Sequence, residues 1–270
     1  MGCCMQKNQK PDNMKKISQI AIDNGKQQQG TRELRHNYSF KENKKETLIA
    51  QSEFGKVIKA SRKNDPTSLV AIKIIEKQKL KRDELATISR EISVLNNLDN
   101  PYIIKYFETY DAKKHLYLVM EYIDGDTLDS FIEVNTKKRK YGERTVANIL
   151  RKLLKAVNHC HGVNVVHRDI NPSNIMLRKN NDVCLIDFGL STNQSDKSDV
   201  GQFVGDPRYT APEVFEGRAS TMSDMWSLGV VLYQMISGHQ PFEQKTKALT
   251  IKDIMAGDWH WRSPEFDNVS

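Results

Sequence analysis

The sequence is poor in cysteine and has no long apolar run. Its 270 residues include only four cysteines, Cys3, Cys4, Cys160 and Cys184. Their spacing fits neither the disulfide framework of a small secreted domain nor a zinc site, and it favours a reducing, intracellular compartment. Because no stretch of about eighteen apolar residues occurs, we expect no membrane-spanning helix. The N-terminus also lacks the apolar stretch of a secretory signal.

Acidic residues are scarce in the first part of the chain, which is basic. Residues 1–45 hold ten Lys or Arg against four Asp or Glu, a balance of +6 within a net charge of +7 for the whole chain. A basic tail on a nearly neutral body argues against a nucleic-acid-binding protein and indicates attraction to an anionic surface. Residues 1–43 are rich in Gln, Lys and Asn with little periodicity, so we predict a disordered arm there.

The first four residues, Met1-Gly2-Cys3-Cys4, are typical of a lipidated N-terminus. Such a start predicts myristoylation at Gly2 and palmitoylation at Cys3 and Cys4. Acyl chains together with a basic patch give a stable anchor, here at the cytoplasmic face of a membrane. Gln6 stands where the motif prefers Ser or Thr, so an unmodified exposed arm is the alternative interpretation.

The rest of the chain divides into two parts of different character. With 38% hydrophobic residues, it can bury one large core or two lobes. Up to residue 123 it is strand-rich, with one amphipathic helix predicted at 82–97. The predicted strands are 47–60, 69–76, 102–110 and 115–122. From residue 124 it becomes helical: 145–161 is amphipathic, and 224–237 is apolar nearly all round, as in a buried core helix.

One lysine interrupts an apolar strand. In the segment VAIKII at 70–75, Lys73 shares a face with Ala71 and Ile75. A buried lysine is unfavourable unless it is paired. Glu91 borders the apolar face of the predicted helix, so we predict a buried Lys73–Glu91 pair. A purely structural salt bridge is an equally good interpretation of that pair.

Acidic and amide side chains are grouped between residues 165 and 191, in VVHRDINPSNIMLRKNNDVCLIDFGLS. Asn174 and Asp187 offer oxygen ligands of the kind that Mg²⁺ requires. Asp169 can accept the proton of a hydroxyl nucleophile. These three residues therefore predict a site for a metal-bound phosphate.

The motifs of the whole chain resemble the eukaryotic protein kinase family. The segments that carry the resemblance stand in family order and are VAIK (70–73), HRD (167–169), DFG (187–189), APE (211–213) and DMWSLG (224–229). It runs from about residue 44 to the end, and residues 227–242 are similar to the calmodulin-dependent and calcium-dependent group of Ser/Thr kinases.

The resemblance implies an α+β, two-lobed kinase fold. Residues 44–123 would form the N-lobe and hinge, and 124–270 a C-lobe that stops short of the family's last helices. The calcium-binding EF-hands of calcium-dependent kinases would lie beyond residue 270, so no calcium sensor is expected in this chain.

The resemblance also implies the cofactors and the roles of single residues. ATP and Mg²⁺ would be the cofactors, and protein hydroxyls the acceptors. Lys73, positioned by Glu91, would hold the phosphates. Asn174 and Asp187 would bind Mg²⁺, and Asp169 would orient the acceptor hydroxyl, with Asn171 beside it. The implied nucleotide-binding residues are Ala50, Ser52, Gly55, Val57, Ala71, Lys73, Met120, Glu121, Ile123, Met176 and Asp187.

Three departures from the family concern the phosphates. Of the three glycines of the phosphate loop only Gly55 is present, with Ala50 and Ser52 at the other two positions, so we expect weakened ATP binding. Asn171 replaces a lysine that neutralises the transferring phosphoryl group. Asp206 replaces the threonine that bridges this lysine and the catalytic acid. We hypothesise that the Asn171 amide donates to Asp206 and restores the bridge.

A fourth departure concerns the protein substrate. Related kinases that select basic peptides carry acids at three cleft positions, where this chain has Thr127, Ser173 and Gln234. None of these can pair with a substrate arginine, so we expect no strong preference for basic peptides.

Two other functions stay open at this point. A pseudokinase scaffold would explain the degraded phosphate loop, Asn171 and Asp206. A metabolite kinase on a related fold is a third interpretation, which the APE segment and the helix beginning at Asp224 disfavour. Because the metal-binding and proton-accepting groups are all present, we expect a protein serine/threonine kinase.

Overall fold

The structure is a computed structural model. It describes residues 28–41, 47–52, 55–138, 142–180, 182–194, 203–259 and 266. The predicted lipidation residues Gly2, Cys3 and Cys4 lie outside these ranges. Among the described residues, no helix combines the length and the apolar character needed to span a membrane.

The N-terminal lobe is a curled sheet with one long helix. Its elements are β1 (Gln28–Gln29), α1 (Thr31–Asn37), β2 (Tyr38–Ser39), β3 (Leu48–Ser52), β4 (Gly55–Arg62), β5 (Leu69–Glu76), α2 (Arg82–Asn96), β6 (Tyr106–Asp111) and β7 (His115–Glu121). The strand order is β1-β6-β7-β5-β4-β2, with β3 paired to β4. The segment predicted as one strand at 47–60 is thus a hairpin of two strands, β3 and β4.

Alternation along β5 divides the lobe between two faces, as predicted. Val70, Ile72 and Ile74 are buried in one cluster with residues of β4, β6 and β7. Ile75 points to the opposite face and packs with Ile88 of α2. Lys73 therefore leaves the sheet on the side of helix α2.

The C-terminal lobe is mainly helical. Its elements are β8 (Gly125–Thr127), α3 (Leu128–Lys138), α4 (Glu143–Gly162), β9 (Val165–Val166), β10 (Ile175–Arg178), β11 (Val183–Leu185), β12 (Thr192–Asn193), α5 (Pro212–Phe215), α6 (Thr221–Ser237) and α7 (Lys247–Ala256). Strands β11, β10 and β8 form one small sheet, and β12 pairs with β9. The predicted α+β architecture with a helical second lobe is confirmed.

Helices α4 and α6 form the centre of this lobe. The buried side chains of α4 recur every three or four positions from Val146 to Cys160, which is the periodicity of a helix with one apolar face. Helix α6 is buried along much of its length, but Met222 is 68% exposed and Met225 is 39% exposed. The prediction of a buried core helix at 224–237 is therefore confirmed for most of its residues, with Met225 as an exposed exception.

The prediction of a disordered arm over residues 1–43 is wrong for residues 28–41. Helix α1 buries Leu34 completely, and Tyr38 is only 2% exposed. Both pack on the face of the sheet opposite α2, in a cluster that contains Tyr110. The Asn37 amide donates to the Tyr110 hydroxyl at 2.8 Å. Burial of these two side chains, together with this hydrogen bond and the pairing of β1 and β2 with the sheet, attaches the segment to the lobe.

Leu34→Ala is expected to lower the free energy of unfolding by about 2–5 kcal/mol, because it removes a fully buried side chain from that cluster. Chemical denaturation measures the change. Arg32→Ala, on the exposed side of the same helix, is the matched control and should change stability by less than about 0.5 kcal/mol. Equal effects of the two substitutions would show that α1 does not dock on the sheet.

Candidate active site

A cavity of about 190 Å³ lies between the two lobes. The predicted nucleotide-binding residues that line it are Ala50, Val57, Ala71, Lys73, Met120, Glu121, Ile123, Met176 and Asp187. Ile49, Ile104 and Ile186 line it as well; they were not predicted, since an isoleucine by itself carries no functional signal. Pockets for whole drug-sized ligands measure about 300–1,000 Å³, so this apolar space suits a planar base better than an entire nucleotide.

Lys73 and Glu91 form the predicted ion pair at the inner end of this cavity. The Lys73 Nζ lies 2.6 Å from Glu91 Oε1, and the two side chains are 28% and 5% exposed. Burial by itself would lower the pKa of Lys73, but the carboxylates of Glu91 and Asp187 outweigh it and raise that pKa. The amine therefore stays charged and is available to an anionic group.

Asp187 opens on the same cavity. It adopts a positive φ of 38°, and its Oδ1 accepts a hydrogen bond of 3.0 Å from the Gly189 amide. A Cβ at position 189 would lie 3.0 Å from that oxygen, so glycine keeps this approach open. An exposed carboxylate and a charged lysine thus face one cavity.

Asp169 is held by two amide side chains. Asn174 Nδ2 donates to Asp169 Oδ2 at 2.7 Å, and Asn171 Nδ2 donates to Asp169 Oδ1 at 3.1 Å. Burial raises the pKa of the Asp169 carboxyl, against the lowering effect of these hydrogen bonds. Asn171 and Asn174 therefore fix the orientation of the Asp169 carboxylate.

The loop that carries Asp169 is anchored from helix α6. Asp224, which is fully buried, accepts the backbone N–H groups of His167 and Arg168, each at 2.9 Å. Arg168 adopts a left-handed φ of 67°, which is unusual for a residue other than glycine. These hydrogen bonds hold the strained turn directly before Asp169.

The residues present fit Mg²⁺ together with a phosphate. In the described part of the chain no group of three or more His, Cys, Asp and Glu side chains could hold a metal by itself. Mg²⁺, however, is usually bound by one or two protein oxygens together with substrate phosphates and water. The Asp187 carboxylate and the carbonyl oxygen of Asn174, whose Nδ2 is directed at Asp169, form such a set.

Comparison with known proteins agrees with this geometry. The protein kinase domain matches residues 42–270. That range covers most of the chain and includes every residue of the candidate site just described. The chain belongs to the protein kinase family.

Several curated kinases are similar to it. Calcium/calmodulin-dependent protein kinase type 1 of Macrobrachium nipponense is 35% identical over 228 residues, which are 83% of this chain and 64% of that protein. NUAK family SNF1-like kinase 2 of Homo sapiens is 35% identical over 83% of this chain and 35% of its own length. Calcium-dependent protein kinase 5 of Plasmodium falciparum is 32% identical over 82% of this chain and 39% of its own length. The chain therefore spans less than two thirds of these relatives, and the resemblance to the calmodulin-dependent and calcium-dependent group is confirmed.

The residues predicted for the phosphate loop lie in the β3–β4 hairpin. Ala50 pairs with Val57 and Ser52 pairs with Gly55, but Ser52 and Gly55 are not among the residues that line the cavity. Gly55 itself is required by the sheet, because a Cβ there would lie 1.8 Å from the carbonyl oxygen of Ile74. Close strand packing therefore explains why this position is a glycine.

Gly55→Ala is expected to lower the free energy of unfolding by about 1–3 kcal/mol, because strand β4 must move away from β5 to admit the methyl group. Thermal unfolding without nucleotide measures this change. Gly142→Ala, where an added Cβ meets nothing within 4 Å, is the control. An unchanged unfolding temperature for Gly55→Ala would contradict the close approach of the two strands.

The hypothesis that Asn171 bridges to Asp206 is wrong. The Asn171 side-chain Oδ1 accepts the backbone N–H groups of Ser173 and Asn174, at 3.0 and 3.2 Å, while its Nδ2 donates to Asp169. Asp206 instead forms a salt bridge of 2.6 Å with Arg208. Burial would raise the pKa of Asp206, but the hydrogen bonds from Arg208 outweigh it and lower that pKa.

Local bonds thus replaced the predicted long-range one. Asn171 caps the short turn Pro172–Asn174, and Asp206 caps the turn Pro207–Tyr209. The sequence contained a signal for this arrangement, because Asn and Asp before a proline commonly cap such turns. Arg208, two positions after Asp206, was the partner that sequence reasoning missed.

The predicted hinge, residues 120–123, begins in the last two residues of strand β7 and continues directly after it. Glu121 is the last residue of that strand, and its side chain forms a salt bridge with Arg178 of β10. Glu121 therefore links the two lobes through its side chain, and only its backbone is left for a bound base.

Proposed function

We propose that this chain is a protein serine/threonine kinase that transfers the γ-phosphate of Mg-ATP to protein hydroxyl groups. The observation that carries the proposal is the 2.6 Å Lys73–Glu91 pair on the same cavity as Asp187. A charged amine and an exposed carboxylate thus lie next to an apolar space, which supports a site for a base, its phosphates and a metal ion. Family membership and kinase relatives support the same activity.

Each group has a task that its surroundings allow. Val57, Ala71 and Met176 enclose the base, and Lys73 binds the phosphates because Glu91 keeps its amine charged and in place. Asp187 and Asn174 would hold Mg²⁺, which neutralises phosphate charge when bound. Asp169, fixed by two amides, accepts a hydrogen bond from the acceptor hydroxyl and orients it for attack.

Asn171 does not supply the positive charge that the family has at this position. The family's lysine at this position would add a positive charge near the transferring phosphoryl group, and the loss of one such donor lowers a rate by about 10²–10³-fold. We therefore propose an active but slow kinase.

A pseudokinase scaffold is the alternative function. The observation in its favour is that Ala50, Ser52, Asn171 and Asp206 all depart from the family at phosphate-handling positions. A scaffold would bind a partner or nucleotide without transferring phosphate.

The deciding experiment is incubation with Mg-ATP labelled on the γ-phosphate, with the chain itself and generic proteins as acceptors. Asp169→Asn is the control, because it keeps the shape of the site but removes the carboxylate. Transfer well above this control supports the kinase. Nucleotide binding with transfer no greater than the control indicates the scaffold.

We also propose that the kinase is attached to the cytoplasmic face of a membrane through Gly2, Cys3 and Cys4. The N-terminal sequence and its basic charge support this. Gly2→Ala should move the protein from the membrane fraction to the supernatant after cell lysis. Unchanged fractionation would contradict the attachment.

A further inference from the structure

A second, larger cavity lies on the other side of Asp169. It measures about 910 Å³ and shares no lining residue with the nucleotide cavity. Its walls come from the start of α3, the turn Pro172–Asn174, the turn Pro207–Tyr209 and the segment leading into α7. Because Asp169 lies on its wall, this cavity is where a protein acceptor would reach the site.

Two of the three positions that the family uses to bind basic substrates, Thr127 and Gln234, form hydrogen bonds within the protein. Thr127 Oγ1 accepts the backbone N–H of Ser130 at 3.2 Å and so caps α3. Gln234 is 9% exposed and accepts the Tyr209 hydroxyl at 2.7 Å. The charge of the cavity therefore comes from other residues.

The charged groups near the middle of the cavity neutralise one another only in part. Arg208 pairs with Asp206 at 2.6 Å and lies 3.9 Å from Glu243, so one positive charge faces two negative ones. Three further charged side chains lie on the wall besides Asp169: Asp129, Lys245 and Lys247. In the part of the chain that the structure describes, no salt bridge or side-chain hydrogen bond engages any of these three, and Lys247 acts on Asp206 only through its charge.

These side chains lie at opposite ends. Asp129 is in the first turn of α3, which packs against the turn Pro172–Asn174. Lys247 is the first residue of α7, which packs against the turn Pro207–Tyr209. The cavity therefore has a negative end next to the catalytic turn and a positive end at α7.

We infer that this cavity selects acceptor segments with charges of both signs, a basic residue that lies against Asp129 and an acidic residue that lies against Lys245 and Lys247. Asp129 and the two lysines are then specificity-determining residues that the family motifs do not indicate. The inference rests on the proposed kinase function.

Exposed charge pairs are individually weak. A favourable rather than an unfavourable charge on the peptide at either end of the cavity should therefore raise kcat/KM by about two- to fivefold. Salt should reduce the preference, because it screens exposed charges.

The test uses peptides that share one central serine. One carries Arg before and Glu after the serine, the second has these charges exchanged, and the third has Gln at both positions. The value of kcat/KM should be about tenfold higher for one charged peptide than for the other, and the neutral peptide should give a value between the two. A variant combining Asp129→Lys, Lys245→Glu and Lys247→Glu should reverse the order. Glu133→Lys, which changes the charge of α3 outside the cavity, should not.

Peptide binding without nucleotide, measured by fluorescence anisotropy, separates this inference from the function on which it rests. Charge-dependent binding without phosphate transfer would support the inference and overturn the kinase proposal. Transfer at equal rates to all three peptides, or an order that the triple variant leaves unchanged, would overturn the inference alone.

Discussion

Asn171→Lys is expected to raise the phosphotransfer rate by about 10²-fold. The substitution restores a positive charge beside Asp169, where one such donor contributes about 10²–10³-fold in rate. It also removes the side-chain Oδ1 that accepts the backbone N–H groups of Ser173 and Asn174. The free energy of unfolding should therefore fall by about 1 kcal/mol. Steady-state kinetics and thermal unfolding of the same variant measure the two effects.

The double variant Asn171→Lys/Asp206→Thr tests whether Asp206 pairs with Arg208, as in the structure, or with Asn171, as predicted from the sequence. Since Asp206 is neutralised by Arg208, the second substitution should add no further gain. Asn148→Lys, an exposed position on α4, adds the same charge elsewhere and should leave the rate unchanged. A gain seen only in the double variant would mean that Asp206 does act on Asn171.

Lys73→Met is expected to reduce phosphotransfer to background and to lower the free energy of unfolding by about 3–5 kcal/mol. The variant loses the amine that faces the cavity, and it leaves Glu91, whose side chain is 5% exposed, as an unpaired buried charge. Activity assays and denaturation curves give the two results.

The double variant Lys73→Met/Glu91→Leu separates a catalytic pair from a structural one. Replacing both members of a buried ion pair with apolar groups is often neutral or stabilising, so most of the lost stability should return. Phosphotransfer should not return, because no amine is left for the phosphates. A double variant that is both stable and active would show that the pair is only structural.

Much of the site follows from local sequence patterns. Alternation in the segment VAIKII places Lys73 on the face of β5 opposite Val70, Ile72 and Ile74, and helical periodicity places Glu91 towards it. Both predictions are confirmed by the 2.6 Å contact. The motif order then identifies the family, since each motif occupies a fixed place in a shared fold.

Long-range packing of weakly patterned segments could not be read in this way. Leu34 and Tyr38 are buried by residues such as Ile58, Tyr110 and Tyr117, which lie far from them in sequence. Nothing near Leu34 shows that a partner surface exists. Local composition therefore indicated disorder where tertiary contacts impose a helix.

The orientation of single polar side chains was the other limit. From the sequence, the Asn171 side chain could bond either to the backbone of its own turn or to the carboxylate of Asp206, far along the chain. The structure contains the first set. Short-range bonds of this kind require little ordering of the chain, so they compete well with long-range ones.

Phosphate transfer by this kinase should require Asp187, and one measurement tests this directly. The rate of γ-phosphate transfer to protein should be followed as Mg²⁺ is added at fixed ATP, for the unmodified chain and for Asp187→Asn. We expect a rate that rises with Mg²⁺ and saturates in the unmodified chain, and no transfer above background in the variant. Equal transfer by both proteins, or none by either while both bind ATP, would contradict this expectation.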